Sequence, residues 1–491
     1  MEMASHQFRQ RAREAIDDAT LQQALSNITG TLQPKRTEAV AGLPEFDSLR
    51  DHAVAIKQHT LDHLSDYLEK FESQVLDNGG HIHWCADADT ARKTVLNLCR
   101  QYDARSVTKG KSMVTEELEL NRFLDKHGIL PLETDLGEYI IQLRDEAPSH
   151  IIAPAVHLNR QQVAETFRQA HDKLDPARPM ESAENLTEEA RNQLREEYGR
   201  ADIGITGANF LIAETGSTII VTNEGNGDLT QTMAKVHIVV TSIEKLVPTL
   251  EDAGVLLRLL ARSATGQDMS VYTTLSSGPK RKHDLDGPEA FHVVLVDNGR
   301  SAMLDSSERE MLRCIRCSAC LNHCPVYNAV GGHAYGWVYS GPMGKVMTPS
   351  LAGGLHQQTP AAMAETADLP NASSFCGRCQ EVCPMRIPLP ALMRNLRQKQ
   401  TDQGITPLKQ RLLMQAWASL ASRPRLYAIA RNIATGMLAR LAGKNAAVRR
   451  LPFGLNMMFA GWCRGRDLPV PQPGGFQAAL KSRNRSTGKP R

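Results

Sequence analysis

The sequence predicts an α/β domain with a mostly parallel sheet, followed by a mainly α-helical, cysteine-rich domain and a helical tail. Strand-like and helix-like segments alternate between residues 78 and 300, which is the pattern of a parallel sheet covered by helices. Seven of the ten cysteines fall between residues 314 and 383. Beyond residue 390, 19 Lys and Arg residues accompany 2 Asp and Glu residues. We therefore divide the chain into residues 1–70, 71–300, 301–395 and 396–491.

The composition is that of a globular protein and excludes disordered, fibrous and membrane-spanning classes. Hydrophobic residues make up 41% of the chain and charged residues 23%. No stretch approaches the roughly 20 apolar residues that span a bilayer, and the N-terminus lacks the apolar core of a secretory signal. The net charge of +3 hides an acidic body (38 basic and 52 acidic residues) and a basic tail. We expect a cytoplasmic protein.

The first 70 residues are predicted to be helical. In Asp51–Leu76, apolar residues recur near a 3.6-residue period, at Ala53, Ile56, Leu61, Leu64, Leu68 and Phe71. Two roles are equally compatible with this pattern. The segment is either a helical arm that makes an oligomer contact or a lead-in that packs on the following domain.

The α/β segment alternates between stretches with the hydrophobic period of a helix and stretches typical of strands. Helices are expected at 88–101, 114–126, 160–198 and 249–263. Strands are expected at His81–Cys85, Ser106–Lys109, Ile129–Glu133, Tyr139–Leu143, Ile203–Thr206, Phe210–Glu214, Thr218–Thr222, His237–Thr241 and Phe291–Val296.

Two glycine-marked segments of this domain are candidates for ligand binding. They are 108–112, with Lys109 and Lys111 at a strand-to-helix junction, and 204–227. Such turns either cradle an anion or serve only as structural turns. Neither has the spacing of a Walker loop or a dinucleotide fingerprint. Glu214 and Glu224 are the candidate catalytic carboxylates.

The first cysteine motif has the spacing C-x2-C-x2-C-x3-C-P, formed by Cys314, Cys317, Cys320 and Cys324 with Pro325. The close spacing lets three thiolates hold one iron–sulfur cluster, while the proline directs the fourth thiolate to another cluster. A zinc site is the alternative, but zinc takes four ligands and usually uses two separated C-x2-C pairs. The motif therefore predicts iron–sulfur chemistry.

The second motif, formed by Cys376, Cys379 and Cys383 with Pro384, matches the last three positions of the same run. Ser373 occupies the missing first position. If ligands are exchanged, one cluster is held by Cys314, Cys317, Cys320 and Cys383, and the other by Cys324, Cys376 and Cys379. Three readings of the second site remain: a 4Fe–4S cluster with a non-cysteine ligand such as Ser373, water or substrate; a 3Fe–4S cluster; or completion by Cys85, Cys99 or Cys463. An iron left open at this site would bind substrate as a Lewis acid, but a simple electron relay is the favoured interpretation.

The segment 331–344 between the motifs is rich in glycine and aromatic residues. It is either a wall around the clusters or a tight loop packed on aromatic rings. His323, inside the first motif, is expected to be a solvated spacer.

The tail combines an apolar helical stripe at Leu412, Leu413, Ala416 and Leu420 with the basic residues Arg411, Arg423, Arg425, Arg431, Arg440, Lys444, Arg449 and Arg450. Three interpretations remain open: peripheral contact with anionic lipid at the inner face of a membrane, docking on an acidic partner, or a solvated helical face. No recognition motif for nucleic acid accompanies the charge.

The order of these parts resembles the lactate utilization protein B family. The resemblance lies in the two cysteine motifs and in the segments KGKSMVTEELELN (109–121), ETDLGEYIIQL (133–143), PSHIIAPAVHL (148–158), GITGANFLIAETGS (204–217) and GGHAYGWVYSGPMG (331–344). It implies a bacterial electron-transport protein that carries two iron–sulfur clusters and takes part in oxidising L-lactate to pyruvate. It further implies an α/β domain of the LUD type, with a fold similar to CoA transferases and sugar isomerases.

The resemblance also implies two partners: a cysteine-rich protein similar to heterodisulfide reductases, and a smaller protein that shares the LUD domain. The seven cysteines match the family's cluster ligands one by one. Two other functions stay open at this point. In one, the α/β domain itself binds and oxidises a 2-hydroxy acid. In the other, the protein is regulatory and its clusters sense redox conditions.

Overall fold

The computed structural model describes residues 4–175, 177–352, 359–442, 447–448, 467–471 and 475–486. The chain forms two compact units, Met1–Ile405 and Thr406–Arg491, which are described separately. The predicted boundary after residue 395 falls inside a helix, Leu389–Asp402, of the first unit.

Five helices precede the first strand. They are α1 (Phe8–Asp17), α2 (Ala19–Asn27), α3 (Gln33–Ala41), α4 (Phe46–Asp62) and α5 (Leu64–Asp77). Asp18 caps α2 by accepting the N–H groups of Thr20 and Leu21. The periodic residues of α4 and α5 are buried, as amphipathic helices require.

The α/β domain contains a six-stranded parallel sheet with the order β1-β10-β7-β4-β2-β3. Its strands are β1 (His81–Cys85), β2 (Ser106–Gly110), β3 (Leu130–Glu133), β4 (Ile203–Thr206), β7 (Val236–Ser242) and β10 (Ala290–Val296). Every residue of β7 is buried, as expected when helices cover both faces of a parallel sheet. The chain leaves β2 toward one edge and β4 toward the other. The carboxyl ends of β2 and β4 therefore flank a topological switch point, where such sheets bind ligands.

A smaller, mixed sheet has the order β8-β5-β6-β9. Its strands are β5 (Phe210–Ile212), β6 (Ser217–Thr222), β8 (Leu246–Val247) and β9 (Tyr272–Ser276). The sequence did not predict β9, which is half-exposed and lacks a continuous apolar run. The helices of the domain are α6 (Ala88–Gln101), α7 (Met113–Glu117), α8 (Leu120–Asp125), α9 (Leu136–Leu143), α10 (Arg160–Ala170), α11 (Ala183–Arg200), α12 (Asn226–Met233) and α13 (Leu250–Ala264).

The strand predicted at Tyr139–Leu143 is wrong, because these residues belong to helix α9. Asp135 caps this helix by accepting the N–H groups of Gly137 and Glu138. The run of apolar residues that suggested a strand is buried on a helix instead. The helix predicted at 114–126 is broken into α7 and α8, since Glu119 adopts φ 53°.

The cysteine-rich region consists of short helices joined by turns: α14 (Arg300–Leu304), α15 (Ala319–Asn322), α16 (Tyr327–Val330), α17 (Gly341–Leu351), α18 (Pro360–Glu365), α19 (Asp368–Asn371), α20 (Arg378–Glu381) and α21 (Leu389–Asp402). Its core is continuous with the N-terminal helices, since Phe8, Leu25, Ile28 and Phe46 belong to the same buried cluster as Cys317 and Cys383. The N-terminal segment therefore packs on this region, nearly 300 residues away in sequence, as well as beside the sheet.

The second unit contains α22 (Leu408–Ala421), α23 (Pro424–Ala442), the strand pair β11 (Ala447–Val448) and β12 (Leu468–Pro469), and α24 (Gly475–Ser486). No described helix is long and apolar enough to cross a membrane. Lys444, Arg449, Arg450 and Cys463 lie outside the described residues.

Candidate metal centres

The first cysteine cavity is lined by thiols from both motifs: Cys314, Cys317, Cys320 and Cys383. The chain winds tightly around this cavity, because Arg316 and Ser318 both adopt left-handed conformations with φ near 60°. The other walls are largely apolar and include Ile151, Met311 and Met385. The structure thus brings together the four cysteines that ligand exchange assigns to one cluster.

The second cysteine cavity is lined by Cys324, Cys376 and Cys379, together with Ser373. Cys379 is buried, whereas Cys376 is exposed. The Nζ of the buried Lys345 lies 3.7 Å from Cys324 Sγ and donates to it. Three thiols therefore line this cavity, and Ser373, at the missing cysteine position of the motif, is part of its wall.

The remaining described cysteines take no part in either cavity. Cys85 and Cys99 are buried in the core of the α/β domain, as small apolar residues are. Burial raises the pKa of Cys99 to about 12, which keeps it a neutral thiol. Neither is positioned to complete the second site, and Cys463 lies outside the described residues.

The residues around the two cavities fit iron–sulfur clusters. Backbone N–H groups donate to sulfur in both cavities, from Arg316 to Cys314 (3.4 Å), from Tyr327 to Cys324 (3.5 Å) and from Ile387 to Cys383 (3.5 Å). Such donors stabilise thiolate ligands and tune the reduction potential of a cluster. Burial and the neighbouring thiols raise the pKa of Cys317 to about 12, so a cation is needed to hold these sulfurs as thiolates.

The arrangement suits a cluster better than a single ion. In the part of the chain that the structure describes, no three or more His, Cys, Asp or Glu side chains converge to hold one metal ion. The thiols instead surround two volumes. The ligands of a cluster of four irons and four sulfides surround a multi-atom core, whereas the four ligands of a zinc ion converge on a single atom.

Two arginines of the N-terminal helices close over the first cysteine cavity. Arg36 donates to the carbonyl oxygen of Val382 at 2.8 Å, and Arg50 donates to those of Glu381 (3.0 Å) and Cys383 (2.8 Å). Both arginines are buried. They hold the second motif in place and put positive charge near sulfurs that become negative in a cluster. No sequence signal connected these arginines to the cysteines.

A buried chain of ion pairs connects the α/β domain to the first cysteine motif. Glu117 pairs with Arg300 at 2.7 Å, Arg300 pairs with Glu244 at 2.9 Å, and Glu244 pairs with Arg316 at 3.2 Å. Tyr339 donates to Glu117 at 2.5 Å, and the Arg316 guanidinium lies 4.6 Å from the centre of the Tyr339 ring. The four charges balance, and breaking one pair would leave a buried charge uncompensated.

The segment 331–344 is packed against both the α/β domain and the cysteine cavities. A Cβ on Gly332 would lie 1.7 Å from the Ser149 carbonyl oxygen, so only glycine permits this approach. His323 is buried and bonds through Nδ1 to the Ala319 carbonyl oxygen at 3.0 Å, so the prediction of a solvated spacer is wrong. The short helix that begins at Ala319 turns this side chain inward.

The two candidate carboxylates of the α/β domain lie in different environments. Glu214 accepts the N–H group of Leu250 at 3.2 Å, at the start of α13. Glu224 pairs with Lys111 at 3.2 Å, and both line a cavity of about 200 Å³. Lys109 is buried and bound to Glu133 (2.6 Å) and Glu116 (2.8 Å), so it is not available to an anion.

This 200 Å³ cavity, the switch-point cavity, lies at the carboxyl ends of β2 and β4. Residues that follow these strands, Lys111, Ser112 and Asn209, form part of its wall. Arg316 and Ile151 line both this cavity and the first cysteine cavity. The two cavities therefore share part of their wall.

Sequence profiles of known domains match two parts of the chain. The LUD domain matches residues 68–296, and the 4Fe-4S dicluster domain matches residues 310–387. Lactate utilization protein B of Bacillus velezensis is 39% identical over 491 residues, covering 100% of this chain and 99% of that protein. Lactate utilization protein B of Lysinibacillus sphaericus is 39% identical over 487 residues, covering 99% of this chain and 98% of that protein. The chain belongs to the lactate utilization protein B family.

Membership of the lactate utilization protein B family, with its dicluster domain, confirms the prediction of two iron–sulfur clusters and a role in lactate utilization. The prediction of an α/β domain followed by a helical cysteine-rich domain is also confirmed. A crystal structure of a DUF162 family protein from Deinococcus radiodurans is similar to part of the chain. It has 15% identity and a TM-score of 0.27, covering 48% of this chain and 98% of that one.

Proposed function

We propose that this protein is the electron-transfer subunit of a multi-protein system that oxidises L-lactate to pyruvate, and that it relays electrons through its two clusters. One observation carries the proposal. Thiols from both motifs line the first cysteine cavity, and the remaining three thiols line the second. In this arrangement Cys314, Cys317, Cys320 and Cys383 hold one cluster, and Cys324, Cys376 and Cys379 hold the other.

When bound, the clusters supply one-electron transfer. The chain's own residues set the conditions for that transfer. Apolar walls around the first cysteine cavity exclude water, while Arg36, Arg50 and Arg316 place positive charge around sulfurs that carry negative charge. At the second cysteine cavity, Lys345 does the same for Cys324.

The proposal is tested on the full chain purified without air. We expect about eight irons per chain and signals of reduced clusters in electron paramagnetic resonance after dithionite. We also expect that a strain lacking the gene does not grow on L-lactate and that Cys317→Ala does not restore growth. Stoichiometric zinc without iron would overturn the cluster assignment, and growth restored by Cys317→Ala would favour a regulatory role over electron transfer.

The relay needs a donor and an acceptor. We propose the two partners that the resemblance implies: a cysteine-rich, heterodisulfide-reductase-like protein and a smaller LUD-domain protein. The family name supports a place in a lactate-utilization system. Co-purification of the three proteins from cells grown on L-lactate tests this assignment, and recovery of the tagged chain without either partner contradicts it.

We propose further that the second unit contacts an anionic membrane surface from the cytoplasmic side. No residue of α22 is buried, and Leu412, Leu413, Met414 and Trp417 are exposed on it. Between Asp402 and Asp467 the sequence has 11 Lys and Arg residues and no Asp or Glu. Exposed apolar residues with this charge suit the interface of anionic lipid, where Trp is favoured.

Flotation with vesicles tests the membrane contact. We expect the full chain to bind vesicles that contain phosphatidylglycerol, to release them in high salt, and to bind less after Trp417→Ser. Vesicles of phosphatidylcholine alone serve as the control. Equal partitioning to both compositions, or salt-independent binding, contradicts the proposal, and binding only to a purified acidic partner subunit would assign the surface to that partner instead.

A second candidate function is favoured by the switch-point cavity. Its shared wall with the first cysteine cavity would allow the α/β domain to bind a 2-hydroxy acid and oxidise it to the 2-oxo acid, with each of the two clusters accepting one of the two electrons and two protons released to solvent. Adding L-lactate to the isolated, oxidised protein distinguishes the two functions. Bleaching of the cluster absorbance without partners favours oxidation by this chain, and an unchanged spectrum favours the relay.

A further inference from the structure

The switch-point cavity contains a lysine, Lys245, that makes no direct hydrogen bond or ion pair with the described residues. Lys245 lines the cavity and is 7% exposed. Among the described residues, its ammonium has no hydrogen bond and no ion pair within 4 Å. A buried ammonium without a partner is costly, so such groups are usually retained for a ligand or for chemistry.

A neighbouring lysine, Lys57, shows that backbone carbonyl groups in this region can accept hydrogen bonds from a buried ammonium. Lys57 is also buried beside the segment 244–246, and its Nζ donates to the carbonyl oxygen of Leu246 at 3.0 Å and to that of Glu244. Lys245, in the same segment, points instead into the cavity. Burial, together with Arg316, lowers the pKa of Lys245 to about 8, which leaves the group mainly protonated near pH 7.

The other charged groups of the cavity already have partners. Lys111 pairs with Asp135 and Glu224 at the outer side. Arg316 pairs with Glu244 and lies against Tyr339. Glu138 accepts the backbone N–H of Lys111 at 3.2 Å, and burial together with nearby carboxylates raises the pKa of Glu138 well above its usual range. Lys245 is thus the charged lining residue, among those described, whose side chain has no direct hydrogen bond or ion pair, although the charges of Glu244 and Cys314 act on it from a distance.

Size and polarity narrow the class of ligand. The cavity volume of about 200 Å³ is below the roughly 300–1,000 Å³ of sites for drug-sized ligands, so it suits a molecule of few atoms. Apolar side chains, among them Ile151, Ile152 and Leu260, form much of the remaining wall. A small organic anion with a carboxylate at one end and a short carbon chain matches both features.

We propose that the switch-point cavity binds a small 2-hydroxy or 2-oxo monocarboxylate whose carboxylate contacts the ammonium of Lys245, beside the wall that Arg316 shares with the first cysteine cavity. The carboxylate class follows from the cavity. The 2-hydroxy or 2-oxo group rests on the proposed function in lactate oxidation. Bound in this way, the ligand would be separated from the first cysteine cavity only by the shared wall.

Isothermal titration of the cluster-loaded full chain with pyruvate and L-lactate tests the proposal. We expect one saturable site per chain, weaker binding of propionate, which lacks the 2-oxygen, and still weaker binding of inorganic phosphate. Lys245→Met should weaken pyruvate binding by about tenfold or more, the effect of losing one charge-assisted hydrogen bond. Lys93→Met, on the surface of α6, serves as the matched control and should leave binding unchanged.

A second measurement does not depend on any variant. Reductive methylation of the cluster-loaded protein, read by mass spectrometry, should modify Lys245 less when pyruvate is present, while Lys93 is modified equally. The proposal is overturned if no carboxylate binds saturably, if Lys245→Met binds pyruvate as the natural chain does, or if phosphate binds most tightly. A lower cluster potential in Lys245→Met with unchanged pyruvate affinity also overturns it, because the lysine would then serve the cluster alone.

The failure of this inference is distinguishable from failure of the proposed function. Iron content and paramagnetic resonance of the same samples report on the clusters whether or not pyruvate binds. Clusters that are present without ligand binding refute the inference and leave the relay intact. Ligand binding by a protein that cannot be loaded with iron would refute the relay and leave the carboxylate site.

Discussion

The two cysteine cavities are built from similar motifs but differ in closure. The first has four thiols, and buried Arg36 and Arg50 bind the backbone that carries Cys383. The second has three thiols, and Cys376 is exposed. Ser373 and Lys345 also line the second cavity, and the ammonium of Lys345 donates to Cys324 Sγ. Cysteine spacing alone therefore does not distinguish the two cavities, because cations from distant parts of the chain and the solvent exposure of one thiol also differ between them.

Removing one thiol from the first cavity should have the largest effect on the difference between the two cavities. We expect Cys317→Ala to lose the first cluster and about half of the roughly eight irons, while the second cluster's signals remain. Iron analysis and paramagnetic resonance measure the change. Cys85→Ala, in the core of the α/β domain, is the control and should retain all iron. Loss of half the iron in the control would show that the effect comes from general destabilisation.

Removing an arginine beside the first cavity should have a smaller effect than removing a thiol, because it weakens the fold around the cavity without removing a cluster ligand. Arg50→Met leaves the carbonyl groups of Glu381 and Cys383 without their donor, so we expect a loss of roughly 2–3 kcal/mol in unfolding free energy. Chemical denaturation measures it. Arg258→Met removes an exposed, solvent-screened pair with Glu45 and should lower the unfolding free energy much less. Equal effects of the two substitutions would contradict the role assigned to Arg50.

Removing a positive charge near the second cavity should change the midpoint potential of the second cluster and not that of the first. Lys345→Met removes a cation 3.7 Å from Cys324 Sγ, so reduction of the second cluster becomes less favourable. We expect its midpoint potential to fall by about 60 mV, equivalent to about 1.4 kcal/mol for one electron. A redox titration followed by paramagnetic resonance measures both clusters. A shift of the first cluster instead would invert the assignment, and Lys280→Met, on the surface, should shift neither.

The smallest expected effect is that of adding a thiol to the second cavity, which tests whether the missing fourth cysteine explains the difference between the two cavities. Ser373→Cys should supply a fourth thiolate to the second cavity and slow the loss of its iron in air severalfold. The rate is followed by the decay of cluster absorbance. Ser422→Cys, at the end of α22, adds a thiol elsewhere and should not slow the loss. If Ser373→Cys leaves the rate unchanged, Ser373 is not positioned as a ligand.

The features that follow from local spacing were predictable from the sequence. Motif spacing placed the thiols in two groups and singled out Ser373, because three or four ligands within a few residues need only a tight turn. Alternating periods predicted the parallel sheet, since burial on both faces leaves a strong apolar signal, as in β7. The strand predicted at Tyr139–Leu143 failed because a short apolar run has no helical period, and the cap at Asp135 was the signal that could have corrected it.

The features that arise from distant contacts were not predictable. Arg36, Arg50 and Lys345 look like ordinary surface cations in the sequence, and only tertiary packing buries them near sulfur. The same holds for Lys109, which looked like an anion-binding lysine but is neutralised by Glu133 and Glu116. Glu224 reached the cavity wall and Glu214 did not, although both belong to one glycine-rich stretch.

The contact between α4 and the second cysteine motif has a consequence for biogenesis. Arg50 and Cys383 are 333 residues apart, so α4 cannot make this contact until nearly the whole first unit has been synthesised. At about 5–20 residues per second, a ribosome needs roughly 17–67 s to cover that span. During this interval the nascent chain lacks its closing arginines. Because Cys383 is also a proposed ligand of the first cluster, neither that cluster nor its contact with α4 can be completed before this interval ends.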